Sequence, residues 1–233
     1  MLFHVGIENH NEGSRSIAWA LEHPGCYAYG KDADSALAAF PAALRGYSSW
    51  INQHELSWLH IQNIDVNVNG VWNNYFVNEK LERVESPDNA TAIESWFQFD
   101  WKPLNDDDIE RALKLLAWSR ADLLKTIEGV SAERLDRTIP GERWSINGIL
   151  RHSGGAEWWY MDRLGRAFPQ AELPKTPMER LEKTRKAFLE MVPQLKGVKQ
   201  VVGVEGELWS PRKVLRRALW HERDHTEHIH KLL

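Results

Sequence analysis

Near its C-terminus the chain reads Trp220-His221-Glu222-Arg223-Asp224-His225-Thr226-Glu227-His228-Ile229-His230, inside a segment whose apolar residues keep helical spacing. Four of its ten histidines lie in the last thirteen residues. At about 100° per residue, His221 and His225 stand about 40° apart, one turn above the other, and His228 follows on the same face a turn later. The stripe they share is Val214, Ala218, His221, His225 and Leu232, so imidazoles occupy positions that would otherwise be core seam. A buried imidazole needs partners, and a metal ion answers that need. Two histidines one helical turn apart can chelate one cation, with at least a third ligand drawn from elsewhere in the chain.

His152 offers that third ligand. It sits in Trp144-Ser145-Ile146-Asn147-Gly148-Ile149-Leu150-Arg151-His152-Ser153-Gly154-Gly155-Ala156-Glu157-Trp158-Trp159-Tyr160. Ser145 is placed as an N-cap, and Ile149, His152, Ala156 and Trp159 recur at helical spacing. Glycine weakens a helix, so the adjacent Gly154 and Gly155 imply that close approach or open space is wanted there. With Gly155 one turn beyond His152, the expectation is a ligand cavity beside the metal, with Trp159 and His228 at its wall. Three neutral imidazoles suit zinc, nickel or iron as a divalent ion and leave coordination positions open. Asp224 is phased to orient an imidazole and Glu222 to act as a flanking acid, making these the candidate catalytic residues. Glu157 lies about 140° from His152 around its helix and is expected to face away. His230 is off the stripe, and His4, His10, His23, His54 and His60 have no comparable spacing.

The combination of Trp144-Ser145, His152, Glu157-Trp158-Trp159-Tyr160 and a late His221-x-x-x-His225 resembles the DinB-like (DinB/YfiT) superfamily over roughly residues 104–233. The resemblance implies an up-down-down-up four-helix bundle holding a divalent metal through three histidines, here His152, His221 and His225. It further implies a metal-dependent enzyme acting on a small molecule, by thiol transfer with a low-molecular-weight thiol such as mycothiol, bacillithiol or glutathione, or by hydrolysis. The alternative from another class is a non-enzymatic binding or regulatory protein with a structural metal. A metal-free bundle with buried histidines is the third reading.

The helical pattern supplies the rest of that bundle. Asn105-Asp106-Asp107-Asp108 makes an acidic first turn ahead of Ile109, Ala112, Leu116, Leu123 and Ile127. Another helix follows Thr176-Pro177, with Met178, Leu181, Arg185, Phe188, Val192 and Leu195 on one face. Gln200 to Trp209 reads as a small hairpin around Glu205-Gly206, and Ser210-Pro211 caps the histidine helix.

The first half differs in kind. Residues 1–100 carry 5 Lys+Arg against 13 Asp+Glu, and residues 101–233 carry 24 against 20, so an acidic half precedes a mildly basic one and no cationic patch for nucleic acid is expected. Leu2 to Glu8 and Ser16 to Glu22 read as a β-hairpin, Cys26 to Gly30 as a third strand, and Asp32 as the cap of a helix carrying Ala36, Leu37, Phe40, Ala43, Leu44, Tyr47 and Ile51. Pro41 implies a kink there or two shorter helices. Pro24-Gly25-Cys26-x-Ala28-x-Gly30 followed by Ala36-Leu37 is similar to the HicB-like antitoxin fold over roughly residues 2–53, with Asp32 and Ser35 standing where that family usually has Thr and Glu. Val66 to Val68 and Val71 to Val77 are expected as two strands about an Asn69-Gly70 turn, and Thr91 to Phe99 as helix or strand.

The predicted fold class is therefore α+β: a small N-terminal β-β-β-α-β (HicB-like) domain at residues 1–60, a connecting region with extra strands at 61–103, and the DinB-like bundle at 104–233. Cys26, the lone cysteine, is assigned to packing, and no disulfide framework is available. No apolar run approaches the ~18 residues of a membrane span and no leader pattern opens the chain, so the expectation is a cytoplasmic protein with a small-molecule partner, a homodimer being the assembly to test. Twelve tryptophans are assigned mainly to core and domain contacts.

Overall fold

The structure, a computed structural model, describes residues 1–11, 14–55 and 58–233. It is mixed α+β, with a sheet at the N-terminal end and a helical C-terminal region, and it separates into two compact units. One comprises Met1–Lys102 and Lys199–Arg216, the other Pro103–Val198 and Arg217–Leu233.

In the first unit, β1 (Leu2–Asn11), β2 (Arg15–Ala20), β3 (Tyr27–Gly30) and β4 (Asp65–Asn73) form a sheet in the order β3-β2-β1-β4, with helix α1 (Ala33–His54) between β3 and β4 in sequence. β1 and β2 pair antiparallel, Val5 opposite Ala20 and Ile7 opposite Ala18, so Val5 and Ile7 are buried on one face of the sheet and Ile17 and Trp19 on the other. Asp32 caps α1 by accepting from the Ser35 backbone at 2.8 Å, and Phe40, Leu44, Tyr47 and Ile51 bury its inner face. Pro41 lies inside this one helix and divides it into no shorter pieces. Cys26 is buried, as its packing role requires.

β4 corrects the expectation of a turn at Asn69-Gly70. It is one strand, parallel to β1, and the register shift between Val5 and Gly6 leaves Asn69 as the extra residue of a bulge. Gly6 is needed beside that bulge, because a Cβ there would lie 2.6 Å from the Phe97 ring. A second sheet, β6-β5-β7, is formed by β5 (Tyr75–Val77), β6 (Arg83–Val84) and β7 (Thr91–Ile93), and a 3-10 turn spans Gln98–Trp101. β8 (Val202–Val204) and β9 (Glu207–Trp209) make the expected hairpin, with Glu205 and Gly206 both at positive φ as its two-residue turn demands.

The second unit holds α2 (Asp106–Thr126), the short α3 (Ala132–Asp136), α4 (Ile146–Arg163), α5 (Pro177–Met191) and the last four turns of α6 (Pro211–Leu232). Side-chain caps start α2, α4 and α6: Asn105 accepts from Asp108, Ser145 from Gly148, and Ser210 from Lys213. Leu123, Ile146, Ile149, Leu150, Leu181 and Ile229 form a core cluster contributed by α2, α4, α5 and α6. Met178, expected on the inner face of α5, is instead 48 % exposed in the first turn. Gly154 lets α4 and α5 meet closely, since a Cβ there would be 2.9 Å from Arg180 Cγ and 3.2 Å from the Leu181 backbone nitrogen. Among the described residues no helix is long and apolar enough to cross a membrane.

Candidate metal centre

α4 and α6 each present their histidines on a flank of the helix rather than at its most buried line. His152 Nε2 lies 3.0 Å from His221 Nε2, which lies 3.1 Å from His225 Nε2, and one ring nitrogen of each falls within 4.8 Å of the others. No other group of three His, Cys, Asp or Glu is placed to hold an ion among the described residues. The His221 and His225 rings stand 88° to one another with centroids 4.3 Å apart, so their nitrogens converge although the rings do not stack. Trp144 stacks on His152 at 4.6 Å and fixes that ring's plane, and the buried Tyr160 sets an edge 6.2 Å from His221.

Burial, followed by the fields of His225, His152 and Arg217, pushes the His221 imidazolium far below its ordinary value of 6.5. Burial, then His152 and His228, brings His225 to about 3. Both rings are therefore neutral at pH 7, with lone pairs able to act as donors. Three neutral imidazoles aimed at one another cannot all satisfy themselves: His221 Nε2, shared by both contacts, carries either a hydrogen or a lone pair, so only one of the two contacts can be a full N–H···N bond. The donor set fits a divalent cation. Zinc–nitrogen bonds of about 2.0–2.1 Å at tetrahedral angles separate two ligand nitrogens by roughly 3.4 Å, close to the two separations above.

The other sequence-predicted residues are dispersed around this cluster. His228 pairs with Glu142, Nε2 to Oε2 at 2.9 Å, and lies outside the three-histidine group. His230 is exposed. Gly155 is half-buried, with only Arg180 Nη1 within 4 Å of a built Cβ, at 3.6 Å. Trp159 lies under the Arg163 guanidinium at 4.8 Å. Asp224 is half-buried on α6 beside His225. Glu222 is 4 % exposed, and both its oxygens accept from arginines, Oε2 from Arg120 Nε at 2.7 Å and Oε1 from Arg185 Nη2 at 2.8 Å.

That pairing belongs to a feature the sequence reading passed over. Glu157 does turn from His152, but toward the interior, where Oε1 accepts from Arg185 Nε at 2.5 Å and Oε2 from Arg120 Nη2 at 3.0 Å and Thr184 Oγ1 at 3.2 Å. Arg120, Glu157, Arg185 and Glu222 thus form a closed ring of alternating charge, one residue from each of α2, α4, α5 and α6, none more than 9 % exposed. Burial works against the Arg185 charge, but Glu157 and Glu222 more than offset it and raise its pKa. Burial likewise works against the Glu222 carboxylate, and Arg185 and Arg120 hold it below its ordinary value. The signal was present: Arg185 sits on the apolar face of α5, and Glu157 continues the line of Ile146, Leu150 and Tyr160.

No curated protein and no solved structure matches the chain. A family model described as the DinB superfamily matches residues 115–229, a span that contains all three converging imidazoles and the whole charge ring. Over residues 115–229 the chain is similar to the DinB superfamily, and its histidine cluster is compatible with metal binding.

Proposed function

We propose that the helical unit is a DinB-like four-helix bundle that binds one divalent metal through His152, His221 and His225, and that the protein is a cytoplasmic metal-dependent enzyme acting on a small molecule. The observation that carries this reading is the convergence of three ring nitrogens from two helices within 4.8 Å. A divalent ion held there supplies Lewis acidity, which lowers the pKa of a water or thiol and polarises a substrate oxygen. Everything else falls to the chain. The buried imidazoles stay neutral and compete for the ion without first losing a proton. Trp144, Tyr160 and Trp220 are the aromatic rings against the cluster, and we assign Trp144 and Tyr160 the first contact with a ligand, with Gly155, Trp159 and His228 further out. Asp224 orients an imidazole or carries a proton, and Glu222, with both oxygens committed, supports α6. The reaction class is thiol transfer with a low-molecular-weight thiol, or hydrolysis.

One observation favours a second reading. Among the described residues no strand pairs with the outer edge of β4, where Val68 is 41 % and Val71 61 % exposed. An open edge of this kind suits strand addition by a partner. The β-β-β-α-β order with β4 parallel to β1 supports a HicB-like unit that recruits such a partner while the metal acts as a structural pin. Calorimetric titration of the zinc- or nickel-loaded protein with mycothiol, bacillithiol and glutathione separates the two. Metal-dependent binding with proton release supports the thiol enzyme. No binding of any of the three, with the metal still retained, favours the regulatory reading.

A further inference from the structure

The charge ring and the histidine cluster share two helices. Glu157 follows His152 by five residues on α4, a rise of about 7.5 Å, and Glu222 is the immediate neighbour of His221 on α6. Each carboxylate is gripped by both arginines, so neither Glu157 nor Glu222 can shift along its helix without breaking at least two of the contacts at 2.5, 2.7, 2.8 and 3.0 Å. The arginines are themselves fixed on the main chain of a facing helix. Arg120 Nη1 donates to Leu181 O at 2.6 Å, and Arg185 Nη1 donates to Leu116 O. Thr184, fully buried, places its hydroxyl 3.2 Å from Glu157 Oε2 and 2.8 Å from the Arg180 carbonyl, two acceptors that share its one proton. Aliphatic side chains at these positions would fill the same space but tolerate sliding and rotation of one helix on another. Planar guanidinium forks on carboxylates do not.

Ligation by two helices demands such control. His152 is carried by α4 and the other two imidazoles by α6, and a bound ion tolerates displacements of only about 0.5 Å. A buried ion cluster is a weak source of net stability and a better source of unique geometry.

We propose that Arg120, Glu157, Arg185 and Glu222 are positioning residues for the metal centre: the ring sets the axial register and rotation of α4 against α6 and thereby holds His152 opposite His221 and His225. This rests on the metal-binding reading above. The ring acts through the helices, and none of its members touches the ion.

The test is metal affinity and coordination, measured on the full chain well below its melting temperature. Zinc affinity by competition with a chromogenic chelator and the visible absorption of the cobalt(II) form are compared for the parent, Arg185→Lys and Thr184→Val. Arg185→Lys keeps a buried positive charge but loses the fork, and it should bind zinc roughly 10–100-fold more weakly and alter the cobalt bands. Thr184→Val keeps the side-chain shape and removes the hydroxyl shared between Glu157 and the Arg180 carbonyl, for a several-fold loss in the same direction. A purely structural role would lower the melting temperature of either variant while leaving affinity and cobalt spectrum of the folded protein at parental values, and that result overturns the proposal. Should Arg185→Lys fail to fold, Thr184→Val decides alone, and parental affinity and spectrum in it overturn the proposal. A parent that takes up neither zinc nor cobalt overturns the metal reading and the positioning role together. Tight binding by the parent and by both variants overturns the positioning role only.

Discussion

Two polar clusters lie side by side in the helical unit, and they are built on opposite principles. The ring of Arg120, Glu157, Arg185 and Glu222 is closed: two positive and two negative groups consume one another's hydrogen-bonding capacity. The cluster of His152, His221 and His225 is open, because three neutral rings meet through two contacts on His221 Nε2 of which only one can be a full hydrogen bond. A closed cluster is finished by folding. An open one is finished by a ligand.

The largest expected effect comes from opening the closed cluster. Glu222→Ala leaves the Arg120 and Arg185 charges buried against Glu157 alone, and removal of one partner of a buried ion pair costs about 3–5 kcal/mol. Urea unfolding of the metal-free protein should show that loss. His221→Ala, one residue away, should cost only on the order of 1 kcal/mol in the same metal-free assay while abolishing metal uptake by elemental analysis. Equal losses of stability would break the distinction between a cluster built for folding and one built for a ligand.

Filling the open cluster should be the next largest effect. A metal that binds only the folded chain stabilises it by about 2.7 kcal/mol at a free concentration one hundred times its dissociation constant. Zinc should therefore raise the melting temperature of the parent and of His230→Ala, whose imidazole is exposed, and a chelator should reverse it. His152→Ala should show neither change.

Acid sharpens the contrast further. His221 and His225 have folded-state values depressed below 6.5, so their contribution to stability is full above that pH and is lost as pH falls from 6.5 toward the folded values, about 3 for His225. Glu222 is depressed from 4.5, so its contribution is complete above 4.5 and declines only below it. Between about pH 6.5 and 5 the metal-free protein should lose stability through His221 and His225 while the Glu222 contribution stays intact. The double variant His221→Ala/His225→Ala should flatten that part of the profile, and an unchanged slope would place the titrating groups elsewhere.

The same division explains what was legible in the sequence. Caps and turn chemistry are local, and Ser145, Thr176-Pro177, Ser210-Pro211 and Glu205-Gly206 mark helix starts and a hairpin found in the structure. The three histidines were legible because two share a helix face and the third lies in a helix of matching phase. Asn69-Gly70 misled because an Asn-Gly pair is a strong turn signal only when the flanking strands pair with each other, and here the partner is β1, some sixty residues earlier. The charge ring was missed for a related reason. Its members come from four helices, and phase about His152 identifies Glu157 as turned away without saying that it turns inward to Arg120 and Arg185.

The smallest expected effect tests the seam beside the ring, at the two adjacent glycines. Gly155→Ala meets nothing but the flexible end of Arg180 at an ordinary 3.6 Å, so it should stabilise the protein by up to about 1 kcal/mol through helix propensity. Gly154→Ala gains the same propensity but places its methyl against Arg180 Cγ and the Leu181 backbone, and overpacking of this kind costs about 1–3 kcal/mol. Leu181 is also the residue whose carbonyl receives Arg120, so a shift of α5 away from α4 loads the closed cluster as well. The two alanine variants should move the unfolding midpoint in opposite directions. A midpoint raised equally by both would mean that α4 and α5 are not held as tightly as the ring geometry requires, and the closed cluster would lose its claim to fix the helices that carry the open one.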